Sequence, residues 1–191
     1  LVTLIRSCGT CHYCSQGDQV RCETTFPLDE QSPLRTLDGK PISQGLRTGA
    51  FAESVVVDAS QLAPIPKDIP LDSASILSCG VITGFGAVVN TAQITSGSSV
   101  VVIGTGGVGL NSVQGAAVAG AESIIALDLS DTKLEAARQF GATHTVNVGQ
   151  ENARKSIKSL TGGRGADYVF VTVGAKSAIE QGFKLLCKGG T

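Results

Sequence analysis

The sequence predicts an α/β fold built on a doubly wound parallel sheet, preceded by a loop-rich segment with four clustered cysteines. Three observations carry this prediction. From about residue 71 onward, short apolar, β-branched runs alternate with helical stretches, and fully apolar strands belong to parallel sheets covered on both faces. A glycine-rich turn, Gly104-Thr105-Gly106-Gly107-Val108-Gly109, separates one such run from an Ala-rich helical stretch. Residues 1 to about 65 hold scattered Pro and Gly and the spacing C-x2-C-x2-C-x7-C at Cys8, Cys11, Cys14 and Cys22.

Taken in order, residues 1–7 read as the inside of a strand, and residues 51–57 (FAESVVV), following Gly49, read as a strand after a turn. Pro64, Pro66 and Pro70 then argue against regular structure. Short helices are expected at 71–77 and 81–90. A strand at 99–103 leads through the glycine turn into a helix at 108–119. Next come a strand at 123–129 and a helix at 131–140, entered through Ser130 as N-cap. A strand at 144–148, a helix at 151–160, a strand at 168–173 and a helix at 177–186 complete the alternation.

Composition narrows the function classes. With 42% hydrophobic and 16% charged residues the chain is globular rather than disordered. Its 15 basic and 16 acidic residues are interspersed, for a net charge of −1. The absence of a basic block excludes nucleic acid and anionic membrane as electrostatic partners. The apolar runs are of strand length, short of the roughly 20 residues a membrane span needs. Both ends are expected to be interior to a longer protein. No Met occurs, the start lacks the features of a signal peptide, and residues 188–191 (KGGT) stop where a further strand is expected.

Cys8, Cys11, Cys14 and Cys22 can converge on one tetrahedral Zn²⁺, with zinc–sulfur distances of about 2.3 Å. Four thiolates close the coordination shell, which makes a structural rather than a catalytic site. Gly9 and Gly17 relax the tight turns required. A pair of disulfides is the competing use of four cysteines. The nucleotide-enzyme character of the remaining sequence favours reduced thiols, hence zinc and a cytoplasmic location. His12 lies within the lobe as a solvent-facing bystander.

The glycine turn is a G-x-G-x-x-G motif in the strand–turn–helix context that gives it meaning. Gly104 permits the tight turn, Gly106 lets the backbone approach a pyrophosphate, and Gly109 allows close helix–strand packing. Gly107 belongs to the same cofactor-binding loop. The helix N-terminus offers free N–H groups and a positive dipole end to phosphates. Asp128, ending the second strand about 20 residues further on, can accept hydrogen bonds from ribose hydroxyls and would repel a 2′-phosphate, so the expected cofactor is NAD rather than NADP. Asp128 as a mere strand-terminal turn residue is the bland alternative. Lys133 is a second candidate ribose contact, with a solvated helix lysine as its alternative.

The order of these features, with Gly49-Ala50-Phe51-Ala52-Glu53 and Cys79-Gly80-x-x-Thr83-Gly84 between them, resembles the zinc-dependent medium-chain alcohol dehydrogenases across essentially the whole chain. The resemblance implies part of a GroES-like, β-rich catalytic domain at residues 1–80, carrying the structural zinc lobe. Residues 81–191 would be a Rossmann NAD-binding domain, incomplete at its C-terminus, with the active-site cleft between the two. It also implies roles for single residues. Cys79 matches the last protein ligand of a catalytic zinc, Thr83 packs on the nicotinamide ring, and Val108 is a cofactor-side position. Leu129 and Val173 sandwich the adenine, and Gly174 follows as a further cofactor-binding position. Leu46 corresponds to a substrate-pocket wall. Cys187 matches no role and reads as a core thiol, and His144 as structural.

The implied activity is reversible NAD-dependent oxidation of a small alcohol to an aldehyde or ketone in a homo-oligomer of the full-length protein. The catalytic zinc would act as the Lewis acid and the nicotinamide as hydride acceptor. The family's other catalytic-zinc ligands, a Cys and a His in a Gly-His-Glu context, do not occur here. The 191 residues alone are therefore expected to be inactive toward alcohols. A zinc-free quinone or enone reductase is a rival enzyme reading, opposed by the four-Cys lobe, Cys79 and Asp128. A non-catalytic zinc- and nucleotide-binding protein is the rival outside enzymology.

Overall fold

The computed structural model describes residues 1–191, and the chain divides into two compact units, Leu1–Ser78 and Cys79–Thr191.

The first unit contains little regular structure: short helices α1 (His12–Ser15) and α2 (Pro27–Glu30), two-residue strands β1 (Leu34–Arg35) and β2 (Pro41–Ile42), and helix α3 (Leu71–Ser75). β1 and β2 pair antiparallel, with Leu34 opposite Ile42. Few apolar side chains are buried, Cys14, Phe26 and Ala74 among them. A polar hub organises the loops instead. Arg6, 2% exposed, donates from Nε to Gln61 Oε1 (2.7 Å), from Nη1 to Asp29 Oδ1 (2.6 Å) and from Nη2 to the Arg47 carbonyl (3.1 Å). Gln61 in turn donates to the carbonyls of Thr3 (2.8 Å) and Arg47 (3.2 Å). The twice-bonded carbonyl belongs to a strained pair, since Leu46 and Arg47 both adopt positive φ (50° and 60°). Non-glycine residues hold that conformation only where their surroundings enforce it.

Two expected strands are absent from this unit. Residues 51–57 form no ladder, and Phe51 is fully exposed. Their β-branched composition meets no partner strand in this chain, and an unpaired strand has no hydrogen-bond reason to form. Residues 1–7 contribute one isolated bridge, Val2 to Leu62.

The second unit is a four-stranded parallel sheet of β3 (Ser99–Ile103), β4 (Ser123–Asp128), β5 (His144–Asn147) and β6 (Tyr168–Val171), in the order β5-β4-β3-β6. Helices α5 (Gly107–Val118), α6 (Asp131–Gln139), α7 (Ala153–Leu160) and α8 (Lys176–Leu185) cover it, and α4 (Ile82–Gly86) packs on α5. Alternation along β3 splits the core in two. Val100 and Val102 pack with Val88, Val113, Ala116, Leu134 and Ala137 on one face. Val101 and Ile103 pack with Ile125, Leu127, Val146, Ile157 and Leu185 on the other. The expected doubly wound α/β fold is the fold observed, and its strands fall within a residue or two of the expected ranges.

Two details differ from expectation. Ser130 occupies the N-cap of α6, yet its hydroxyl makes no capping bond; its N–H is instead taken by Asp128 Oδ1 at 3.0 Å. The helical turns from Leu71 to Ala92 run for 22 residues and contain an 18-residue window of mean hydropathy 1.5, long and apolar enough to cross a membrane by length and composition alone. Apolar stretches are therefore not all of strand length.

Within the second unit, α4 lies hard against α5. Ser112 Oγ donates to the Gly84 carbonyl (3.1 Å), and a Cβ at Gly84 would sit 2.1 Å from the Val108 oxygen. Gly84→Ala must therefore push two backbones apart. It is expected to cost about 1–3 kcal/mol, the usual range for overpacking, in a urea denaturation series. Gly106→Ala, where an added Cβ meets nothing within 4 Å, should leave the midpoint in place. A parental midpoint for Gly84→Ala would show that the contact is not as tight as described.

Candidate cofactor and metal sites

Strand order makes the first site. The chain turns one way from β3 to β4 and crosses to β6 on the other side. The carboxyl ends of β3 and β6 thus flank a topological switch point, where ligands of open α/β sheets bind. Gly104 leaves β3 at φ +90°, and a Cβ there would meet Val173 Cγ1 at 2.3 Å. Only glycine permits this turn to pass under the end of β6. Thr172 Oγ1 locks the crossing by donating to the carbonyls of Ile103 (3.1 Å) and Gly104 (2.8 Å). A Cβ on Gly109 would fall 1.9 Å from the Gly104 oxygen, so α5 starts in direct backbone contact with the turn. Added Cβ atoms on Gly106, Gly107 and Gly174 meet nothing within 4 Å. The backbone there is open to a ligand, and the first-turn N–H groups of α5 have no intrahelical partners.

Beside the turn lies a cavity of about 350 Å³ whose lining includes Gly104, Asp128, Leu129, Val148, Val173 and Gln181. The geometry thus brings together Gly104, Asp128, Leu129 and Val173, the last two presenting exposed apolar side chains. Asp128 is held by four donors. Thr105 N–H (2.8 Å) and Thr105 Oγ1 (3.1 Å) share its Oδ2, while Leu129 N–H (2.8 Å) and Ser130 N–H (3.0 Å) share Oδ1. Partial burial pushes the Asp128 carboxyl up, but the donors from Thr105, Ser130 and Leu129 outweigh it and hold the group below the usual carboxylate range. It is therefore anionic at neutral pH. Thr83, Val108 and Lys133 do not line this cavity. Thr83 and Lys133 are exposed and Val108 half-buried. Thr105, 1% exposed, escaped the sequence reading, which treats that position as any residue.

The second site is the cysteine lobe. The sulfurs of Cys8, Cys11, Cys14 and Cys22 all lie within 4.8 Å of one another, with Cys8–Cys14 and Cys11–Cys22 each at 4.0 Å. The edge of a tetrahedron with bonds of about 2.3 Å is about 3.8 Å, so the donor set fits one zinc ion. All four thiols are unpaired, and their spacing is far beyond the roughly 2.05 Å of a disulfide. Gly9 (φ +76°) and Gly17 (φ +83°) turn the chain around them. Backbone N–H groups point at sulfur, from Thr10 (3.4 Å) and Cys11 (3.2 Å) to Cys8 and from Cys8 to Cys22 (3.4 Å). Hydrogen bonds from the Thr24 side chain and from Thr10 and Cys11 pull the Cys8 thiol down to about 5. Those from Cys14 and Glu23 lower Cys11. Burial pushes Cys14 up to about 11. His12 is exposed, outside the cluster.

Cys79 is exposed and belongs to no cluster of ligating side chains. One sulfur does not fit a catalytic zinc, which takes three protein ligands. Leu46 is 77% exposed beside the Arg6 hub. Cys187 is half-buried, its sulfur 3.5 Å from Asp167 Oδ1. His144 is exposed at the start of β5 and pairs with the Thr143 hydroxyl at 2.9 Å.

Residues 107–191 match the family model described as "Zinc-binding dehydrogenase". The chain is 36% identical over 192 residues to "CYP enzymes assisting alcohol dehydrogenase" of Catharanthus roseus, covering 94% of the chain and 51% of that protein. It is 34% identical over 202 residues to "Alcohol dehydrogenase-like 7" of Arabidopsis thaliana, covering 100% of the chain and 51% of that protein. Among solved structures, the "Alcohol dehydrogenase zinc-binding domain protein" of Burkholderia ambifaria superposes with a TM-score of 0.86 at 33% identity, over 97% of the chain and 52% of that structure. The chain spans about half the length of the curated relatives it matches.

The sulfur geometry predicts one zinc per chain. Elemental analysis of freshly reduced protein should find it, and Cys14→Ser should abolish stoichiometric zinc and melt the lobe, because metal binding and local folding are coupled there. Zinc content unchanged by the substitution would refute the site.

Proposed function

The chain belongs to the zinc-dependent medium-chain alcohol dehydrogenase family, and on that premise we propose that it provides the NAD-binding half and a structural zinc lobe of an enzyme interconverting a small alcohol with its aldehyde or ketone. The observation that carries the cofactor reading is Asp128, an anionic carboxylate at the end of β4 in the wall of the 350 Å³ cavity. Ribose hydroxyls can donate to it, whereas a 2′-phosphate would bring a second negative charge against it. Gly106 and Gly107 leave room for the pyrophosphate at the start of α5, and Leu129 and Val173 offer apolar faces to the adenine.

When bound, NAD supplies the hydride acceptor. The residues present bind and orient the dinucleotide and hold its adenosine end against Asp128. No step is assigned to a catalytic zinc, for which Cys79 is a single candidate ligand. The second reading is a zinc-stapled nucleotide-binding protein without alcohol chemistry of its own, supported by the four-cysteine cluster and the glycine turn alone. The proposal places the protein in the cytoplasm, since a four-thiolate site needs reduced cysteines, and in a homo-oligomer, without nucleic-acid or membrane partners.

Titration with NADH and NADPH, followed by fluorescence, tests the cofactor assignment. The parent should bind NADH more tightly. Asp128→Asn removes the charge while keeping an acceptor oxygen, and should narrow the preference about ten- to a hundredfold, the equivalent of about 1.5–3 kcal/mol for a hydrogen bond to a charged group. Equal affinity of the parent for both dinucleotides would overturn the assignment. Alcohol-dependent NADH formation by a longer protein that carries this chain together with further catalytic-zinc ligands separates the two functional readings; the 191 residues alone are expected to be inactive under either.

A further inference from the structure

Thr105 is 1% exposed and makes two of the four hydrogen bonds that fix Asp128. Both go to the same oxygen, Oδ2. The donors on Oδ1 are the N–H groups of the two residues that follow Asp128. They move with the Asp128 backbone and exist whatever the side chains are, so alone they leave the carboxylate tied at one oxygen. The second oxygen is tied from β3's side, by the first residue after Gly104. Of the four donors only the Thr105 hydroxyl depends on the identity of a residue other than Asp128. Thr105 itself does not line the cavity, whereas Asp128 does.

We propose that Thr105 is a positioning residue for cofactor specificity: its hydroxyl, together with its own N–H, holds Asp128 Oδ2 so that the carboxylate presents its free lone-pair directions to the ribose and its full charge to any 2′-phosphate. The inference rests on the NAD reading above and deepens it, by making discrimination a property of a two-residue unit. A hydrophobic isostere at position 105 puts a methyl group against an anionic oxygen. The carboxylate then keeps the residue-105 N–H at Oδ2 but loses the second donor there, and that oxygen is held less firmly.

Thr105→Val keeps the shape and removes the hydroxyl; Thr105→Ser keeps the hydroxyl and removes the methyl. If the hydroxyl positions Asp128, the valine variant binds NADH about three- to tenfold more weakly, the usual range for one hydrogen bond, and discriminates less against NADPH. The serine variant then behaves as the parent. If Thr105 is only a packing residue the pattern inverts, with serine impaired and valine parental, and the proposal fails. It fails equally if both variants bind as the parent does, or if both are impaired alike. Should the valine variant not fold, Thr105→Ala takes its place with the same reading. Amide hydrogen exchange without cofactor gives an independent arm, in which the Leu129 and Ser130 N–H groups exchange faster in the valine variant and at parental rates in the serine variant. Unchanged exchange in the valine variant overturns the proposal. A parent that binds neither dinucleotide refutes the NAD reading, while the exchange arm still decides the role of Thr105.

Discussion

The second unit depends on how closely backbone approaches backbone where β3 becomes α5. At Gly109 a single added carbon would lie 1.9 Å from the Gly104 oxygen, and at Gly104 it would lie 2.3 Å from Val173. The turn is therefore squeezed between the helix it starts and the end of β6. This closeness sets the rest. It brings the unpaired N–H groups of α5 to the switch point, puts Thr105 within reach of the neighbouring strand's Asp128, and makes Val173 a wall of the cavity beside the turn. The sheet supplies the rigidity. Val100, Val101 and Val102 are fully buried, so β3 can shift only by disturbing both core layers.

Legibility followed the range of the interactions. The strands of the sheet were readable because each is a run of apolar, β-branched residues whose two faces are both covered, and a local pattern is enough to report that. The cysteine cluster and the glycine turn were readable because their partners lie within a few residues of one another. Residues 51–57 have the same β-branched composition but form no ladder, because composition does not contain the partner. Ser130 was readable as a cap by position, yet the capping geometry was redirected by Asp128 two residues earlier. Thr105 was hidden for a different reason. A motif with an unspecified second position says nothing about a hydroxyl whose acceptor is 23 residues away.

Arg6 is the clearest case of a structure-determining residue with no sequence signal. In LVTLIRSC it reads as an interruption of an apolar run, and its acceptors are Asp29, Gln44, Arg47 and Gln61. Each of its three nitrogens donates to at least one acceptor, four bonds in all, which offsets the cost of burying a planar guanidinium. With the Phe26 ring 5.9 Å beneath it, the cation stands where a larger domain would place aliphatic side chains. It also fixes the strained Leu46–Arg47 pair, so the conformation of that loop is determined from outside the loop.

The two units thus solve the same problem by different physics, and this explains why the cysteines lie where they do. The sheet unit buries enough apolar surface to hold its loops in place. The first unit does not, and its hub reaches only from Thr3 to Gln61 around Arg6. Residues 8–22 have one buried side chain, Cys14, and a four-residue helix, α1, as their main regular element. A single helical turn is far below the length at which a helix persists alone, and the sulfurs sit in conflicting surroundings, with hydrogen-bond donors favouring the thiolate at Cys8 and burial favouring the thiol at Cys14. One divalent cation would resolve both difficulties, since it would favour the thiolate at every sulfur and close the three loops between the four cysteines at once. A zinc ion bound there would therefore not be an addition to a preformed lobe; it would take the place of the core that these residues lack.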